Sequence, residues 1–115
     1  MNKQDFVNNY NMHDSLINDI SYSKEKNEFI MVIDFAFWMQ KNYQPNKPET
    51  GLIKVKFSNL KKIIVPKDMK LDDISIIQTL IENDSLKFSL MNDITDEYLE
   101  IIIDSDNIEI SELNK

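Results

Sequence analysis

The longest hydrophobic stretch of the chain, FIMVIDFAFWM at residues 29–39, organises any fold that the sequence can adopt. In an extended chain alternate side chains point to opposite faces, and here both faces are mainly apolar. This pattern predicts a central strand covered on both sides, as in a sandwich or closed barrel. A buried helix is the alternative, but β-branched and aromatic residues favour the strand. One face carries Phe29, Met31, Ile33, Phe35, Phe37 and Met39, and the other Ile30, Val32, Asp34, Ala36 and Trp38.

Shorter apolar segments predict further strands on both sides of this stretch. The polar turn at residues 23–28 joins the first strand to the central one, and their adjacency favours antiparallel pairing. The polar turn at residues 104–107 joins the last two segments, which predicts that the chain closes with a β-hairpin. The segments are residues 16–22, 52–57, 60–65, 86–91, 98–103 and 108–113.

The sequence pattern does not decide the secondary structure of two segments. Residues 71–83 place Ile74, Ile77 and Ile81 at helical spacing, yet their β-branched content favours a strand. Residues 1–12 predict a short helix or a loosely held lead-in. Residues 40–51, which hold Pro45, Pro48 and the one glycine, predict an exposed loop.

We therefore expect one mainly-β domain over residues 1–115, with β-rich α+β as the alternative. The architecture is a small antiparallel sandwich or partly open barrel of about six to eight strands, with one or two short helices.

Composition and charge count against several classes of function. The chain has 13 Lys plus Arg, all of them lysine, against 20 Asp plus Glu, for a net charge of −7. Without arginine there is no bidentate guanidinium contact to phosphate or guanine, and the negative charge disfavours nucleic acid as a partner. One glycine excludes glycine-rich phosphate loops. No apolar run is long enough to span a bilayer and none forms a signal peptide, so we expect a cytoplasmic protein with no membrane partner.

His13-Asp14-Ser15 and Asp34 are the candidates for chemistry. In an extended chain His13 and Ser15 stand beyond hydrogen-bond reach of each other, so the segment is not a self-contained triad. With one histidine and no cysteine, the usual zinc sites are excluded. We expect His13 to bond a backbone group or Asp14. Asp34 interrupts the apolar strand, where it either meets solvent or pairs with Lys54 or Lys56, or else acts as a functional acid.

A protein-binding surface is the remaining candidate site. Aromatic residues beside the long loop are either interface anchors or ordinary core. The carboxylates of the last third lack the spacing of a calcium loop, which leaves a solvated acidic face. We expect no catalytic residue, cofactor or metal. The predicted partner-binding residues are Trp38, Tyr43, Asp93, Asp96, Glu97, Asp104 and Asp106.

Four features together resemble a known group of small acidic bacterial proteins. They are Met12-His13-Asp14-Ser15 before a strand, an apolar strand ending in an aromatic residue, Val55-x-Phe57-x-Asn59-Leu60, and a closing hairpin. The group resembles immunity proteins of polymorphic toxin systems. The resemblance implies a β-rich domain that binds and blocks a cognate toxin without catalysis, and it assigns no residue a role. The chain's acidity then predicts a basic toxin as the partner. The alternatives are an enzyme using His13 with carboxylates and a self-associating structural subunit, and the oligomeric state stays open.

Overall fold

The computed structural model describes residues 1–67 and 69–113, and within them the chain forms one α-helix and eight strands. The strands form one antiparallel sheet in the order β4-β7-β6-β5-β1-β2-β3-β8, which confirms the mainly-β prediction. A 3-10 turn at Phe37–Met39 follows β2. The helix is α1 (Lys3–Asn9), and the strands are β1 (Leu16–Ser23), β2 (Glu28–Ala36), β3 (Thr50–Ser58), β4 (Lys62–Ile64), β5 (Ile74–Glu82), β6 (Ser85–Asn92), β7 (Tyr98–Asp104) and β8 (Asn107–Glu112).

The sheet folds over on itself into a partly open sandwich. Strands β3 and β6 are four positions apart, which in a flat sheet would separate them by about 19 Å. The rings of Phe57 on β3 and Phe88 on β6 nevertheless lie only 6.2 Å apart, edge to face. The half made of β4, β7, β6 and β5 therefore packs on the half made of β1, β2, β3 and β8. The two halves share one paired position, Leu16 opposite Ser75.

The inner face of each strand supplies the core, as alternation predicted. On β3 the buried positions are Ile53, Val55 and Phe57, and the lysines between them face outward. On β6 Leu86, Phe88 and Leu90 are buried. Burying these side chains is the main favourable contribution to folding.

The prediction that the central strand is covered on both sides is wrong for its outer face. Ile30 and Val32 are only half-buried, and they lie opposite Lys56 and Lys54 of β3. The apolar stems of lysines lie along such surfaces while their charged ends stay in water, which lets half-buried apolar residues persist without a further layer. The strand also ends at Ala36 instead of Met39, because the chain turns there.

The predicted closing hairpin is wrong as well. Strand β7 pairs with β6 and β4, whereas β8 pairs with β3 in the other half of the sandwich. The hydroxyl of the buried Ser105 donates to the carbonyl of Ser58 at the end of β3, at 2.6 Å. The turn at residues 104–107 is therefore a crossover between the two halves.

The N-terminal segment is helical and belongs to the core. Asn2 caps α1 through a side-chain oxygen that accepts the Asp5 N–H at 2.9 Å. The ring of Phe6, fully buried, lies 6.1 Å from the ring of Phe57 and 6.0 Å from that of Phe88. One helical side chain thus contacts both halves of the sandwich. The polar composition of the segment gives no indication of this contact.

Within the segment 71–83, residues 74–82 form strand β5, which confirms the alternative that their β-branched content favoured. Strand β5 runs antiparallel to β6. The connecting residues Asn83 and Asp84 both have positive φ, at 51° and 65°. Two successive positive φ values are typical of a type I′ hairpin turn, whose twist matches that of the flanking strands.

Candidate functional site

The His13-Asp14-Ser15 segment joins the two halves of the sandwich. The Oγ of Ser15, fully buried, accepts the N–H of Ala36 on β2 at 2.9 Å. The Nδ1 of His13 lies 2.7 Å from the carbonyl oxygen of Ile77 on β5, and since a carbonyl only accepts, Nδ1 carries the proton. Strand β5 has a bulge between Ile76 and Gln78, which frees that carbonyl from the ladder. The predicted bond from His13 to a backbone group is confirmed.

Asp34 lies on the outer face of β2, between Leu16 of β1 and Leu52 of β3. It is half-buried, and among the residues that the structure describes it has no cation within ion-pair distance. Lys56, one of its predicted partners, instead pairs with Glu28 and Glu109, each at 3.8 Å. Of the two structural alternatives, the structure bears out the one in which this face meets solvent.

Asp104 and Asp106 hold the N-terminal helix in place. The Nζ of Lys3 lies 2.6 Å from Oδ1 of Asp104 and 3.3 Å from Oδ2 of Asp106. The Lys3 N–H also donates to Oδ1 of Asp106 at 3.4 Å, and the Lys3 side chain is almost fully buried. These two predicted partner-binding acids therefore have a partner within the chain, which we call the Lys3 clamp.

Within the Lys3 clamp, the pKa of Lys3 and the pKa of Asp106 shift in opposite directions. The hydrogen bond to Asp104 raises the pKa of Lys3 above its ordinary value despite the loss of hydration, which lowers it, and Asp106 raises it further. Burial alone would raise the pKa of Asp106, but the hydrogen bonds from the Lys3 backbone and ammonium group lower it. Both shifts favour the charged forms, so the clamp is an ion pair at neutral pH.

The turn between β6 and β7 carries the other three predicted acids. The N–H of Asp93 donates to the carbonyl of Asp73, and its Oδ1 accepts the hydroxyl of Ser75 at 3.0 Å. Asp96 sits at a φ of 60°. Within the described part of the chain, neither these two acids nor Glu97 forms an ion pair. Ile94, in the middle of this polar turn, is 71% exposed.

A cleft, which we call the aromatic cleft, lies beside the loop that follows β2, and of the two predicted aromatic residues Tyr43 lines it. Trp38 is 45% exposed, whereas Tyr43 is half-buried and donates its hydroxyl proton to the carbonyl of Lys47 at 2.9 Å. The ring of Phe37 covers Gly51, where a Cβ atom would lie only 2.6 Å from it. The cleft holds about 360 Å³ and is lined by Phe37, Gln40, Asn42, Tyr43, Lys47, Pro48 and Glu112.

The seven predicted partner-binding residues thus lie in three separate places. Asp93, Asp96 and Glu97 precede β7, whereas Asp104 ends it, and a strand of seven residues separates its ends by about 20 Å. None of these acids lines the aromatic cleft. The sequence could not show this separation, because it depends on which strand each turn connects.

A groove that the sequence did not predict lies where β1 and β5 meet. Strand β1 bulges between Ile17 and Asp19, and after the single pair with Ser75 it leaves β5. The resulting space, which we call the junction groove, holds about 420 Å³ and is open to solvent. Its lining is Leu16, Ile17, Asn18, Leu71, Asp72, Asp73, Ile74 and Ile94. The signal that could have found it is Ile94, an isoleucine within an otherwise polar turn.

A smaller groove of about 270 Å³ also borders this turn. Lys67 and Lys70 line it together with Glu97 and Thr95. Among the described residues, these two lysines form no ion pair with the turn's carboxylates. The turn at residues 93–97 itself contains three carboxylates and no lysine.

Comparison with known proteins gives no relative. No family model matches the chain, and neither does any curated protein or solved structure. Across residues 1–67 and 69–113, no three His, Asp or Glu side chains stand close enough together to hold a metal ion. Within the same residues, no helix has the length and hydrophobicity needed to cross a membrane.

Proposed function

We propose that this chain is a non-enzymatic protein-binding domain that takes a basic protein partner at the β6–β7 turn. The observation that carries the proposal is the exposure of Ile94 among Asp93, Asp96 and Glu97. Exposing a large apolar side chain to water is unfavourable, and burying it against a partner recovers that free energy. Carboxylates around it steer a basic surface toward it and select against acidic ones.

Neutralisation of a basic bacterial toxin is the most concrete form of this proposal. It rests on the net charge of −7 and on the resemblance to immunity proteins. The mechanism is occlusion: the domain covers the toxin's basic surface and needs no chemistry of its own. We do not include Asp104 and Asp106 among the proposed partner-contacting residues, because both form ion pairs with Lys3. Trp38, which is 45% exposed, stays as a second contact.

Co-expression with the products of neighbouring genes tests this proposal. Each neighbouring protein is produced in a host alone and together with this chain, and growth is measured. We expect one neighbour to stop growth and this chain to restore it. Growth that is restored by no combination, or the lack of any toxic neighbour, would contradict toxin neutralisation.

A matched pair of double variants tests the binding surface in the same assay. Asp96→Asn with Glu97→Gln removes two charges from the turn, and we expect it to weaken rescue. Glu25→Gln with Asp84→Asn removes the same charges elsewhere, and we expect full rescue. The pairs are comparable because all four side chains are exposed, and because Asp96 and Asp84 have φ values of 60° and 65°, which asparagine tolerates.

A further inference from the structure

We infer that the junction groove receives a segment of a partner protein in which a lysine or arginine stands between apolar residues. This inference rests on the proposed function, since it identifies the part of a basic protein that docks beside the β6–β7 turn. It is carried by the groove's apolar lining together with the charges at its rim.

The apolar lining of the groove provides a surface on which a side chain of the partner packs. Ile17 and Ile74 are buried at 2% and 1% exposure, whereas Leu16 and Ile94 are 41% and 71% exposed. The exposed pair and the buried pair line the same space. A side chain placed there removes both exposed residues from water, and about 25 cal/mol is gained for each Å² of apolar surface buried.

The carboxylates that line the groove favour an occupant with a positive charge. Asp72 and Asp73 are exposed lining residues and have no ion-pair partner within residues 1–67 and 69–113. Covering them with an apolar or acidic segment would remove carboxylates from water without compensation. A lysine or arginine pairs with them while its methylene stem packs on Leu16 and Ile94.

The shape of the groove favours a peptide segment over a small molecule. Ile94 projects from a turn, and a ligand confined to the groove floor would leave most of it in water. A chain segment that crosses the groove covers floor and wall together. A membrane surface is a poor occupant, because anionic headgroups repel the carboxylates of the rim.

Titration of the isotope-labelled protein with synthetic peptides, followed by NMR, tests the inference. The probe is a short peptide of alternating lysine and leucine. Its controls replace leucine with serine, or lysine with glutamate. We expect the lysine–leucine peptide to shift the amide signals of residues 16–18, 71–74 and 94, and to bind about tenfold more tightly than the lysine–serine peptide. Equal binding of these two peptides, or shifts centred on another surface, would overturn the inference.

Variants separate the two contributions. Ile94→Ser, and Asp72→Asn with Asp73→Asn, should each weaken the lysine–leucine peptide about fivefold or more. Ile64→Ser is the matched control, since Ile64 is also exposed, at 48%, but lies on edge strand β4. Asparagine at position 73 keeps the positive φ of 58° found there. Weakening by Ile64→Ser equal to that by Ile94→Ser would count against the groove.

The growth assay distinguishes failure of the groove from failure of the proposed function. If rescue is lost with Asp96→Asn and Glu97→Gln, and also with Ile94→Ser, but survives Asp72→Asn with Asp73→Asn, the function stands and the groove inference fails. If the peptide binds in the groove as expected and no neighbouring protein is neutralised, the groove stands and toxin neutralisation fails.

Discussion

Phe6→Ala should lower the free energy of unfolding by about 3 to 5 kcal/mol, the usual cost of removing a buried phenylalanine ring. The ring of Phe6 contacts Phe57 and Phe88, which belong to opposite halves of the sandwich, so its loss leaves a cavity where the halves meet. Whole-domain stabilities are only about 5 to 15 kcal/mol, so this variant should be close to unfolding. Urea denaturation followed by circular dichroism measures the difference.

The matched control for this variant is Tyr22→Ala. Tyr22 also carries an aromatic ring on the inner face of its strand, opposite Phe29, but it is 50% exposed. Its truncation should cost much less than that of Phe6. Equal losses, or a loss below about 1 kcal/mol for Phe6→Ala, would show that α1 is a peripheral element and that the sandwich does not depend on it.

Lys3→Met should lower the stability by about 2 kcal/mol at neutral pH, the usual worth of hydrogen bonds to charged groups. Methionine keeps most of the buried stem but leaves Asp104, which is only 19% exposed at its side chain, without its cation. Lys56→Met is the control, because Lys56 also pairs with two carboxylates but at 3.8 Å and from a more exposed position. Its loss should be clearly smaller.

The pH dependence of the Lys3→Met effect follows from the two pKa shifts. The pKa of Asp106 is lowered on folding, so its contribution is present above the ordinary value of 3.8 and is lost as the pH falls through the lower folded value. The pKa of Lys3 is raised, so its contribution is present below 10.5 and is lost as the pH rises through the higher folded value. The stability difference between wild type and variant should therefore be largest near neutral pH and shrink in acid and in strong base. A difference that ignores pH would contradict the ion pair.

Local patterns predicted most strands but few of their long-range relations. The alternation of Ile53, Val55 and Phe57 is a local signal, and the structure places those residues on the inner face as expected. The closing hairpin failed because adjacency favours pairing only where nothing else holds the turn. Here Ser105 bonds the end of β3, and Lys3 holds Asp104, so contacts from distant residues decide the path of the chain.

The candidate site was predictable only in part for the same reason. The acidic polar turn predicts that Asp96 and Glu97 are solvated carboxylates, and both are exposed. The same criteria also select Asp104, but its partner, Lys3, lies about a hundred positions away in the sequence. The sequence does not indicate that Lys3 is buried, because a lysine near a terminus is usually solvated. Ile94 is a local signal of one exposed apolar residue of the junction groove, but the groove's position depends on where β1 and β5 separate, which no local pattern encodes.

The rate of association with the toxic neighbour, measured at low and at physiological salt, tests most directly whether the β6–β7 turn binds a basic protein. At physiological ionic strength charges are screened beyond about 8 Å, so the wild-type rate should fall as salt rises. Asp96→Asn with Glu97→Gln should slow association at low salt and flatten this dependence, whereas Glu25→Gln with Asp84→Asn should leave both nearly unchanged. If the rate ignores salt, or if the two double variants behave alike, the carboxylates of the turn do not guide a basic partner and the proposed function is wrong.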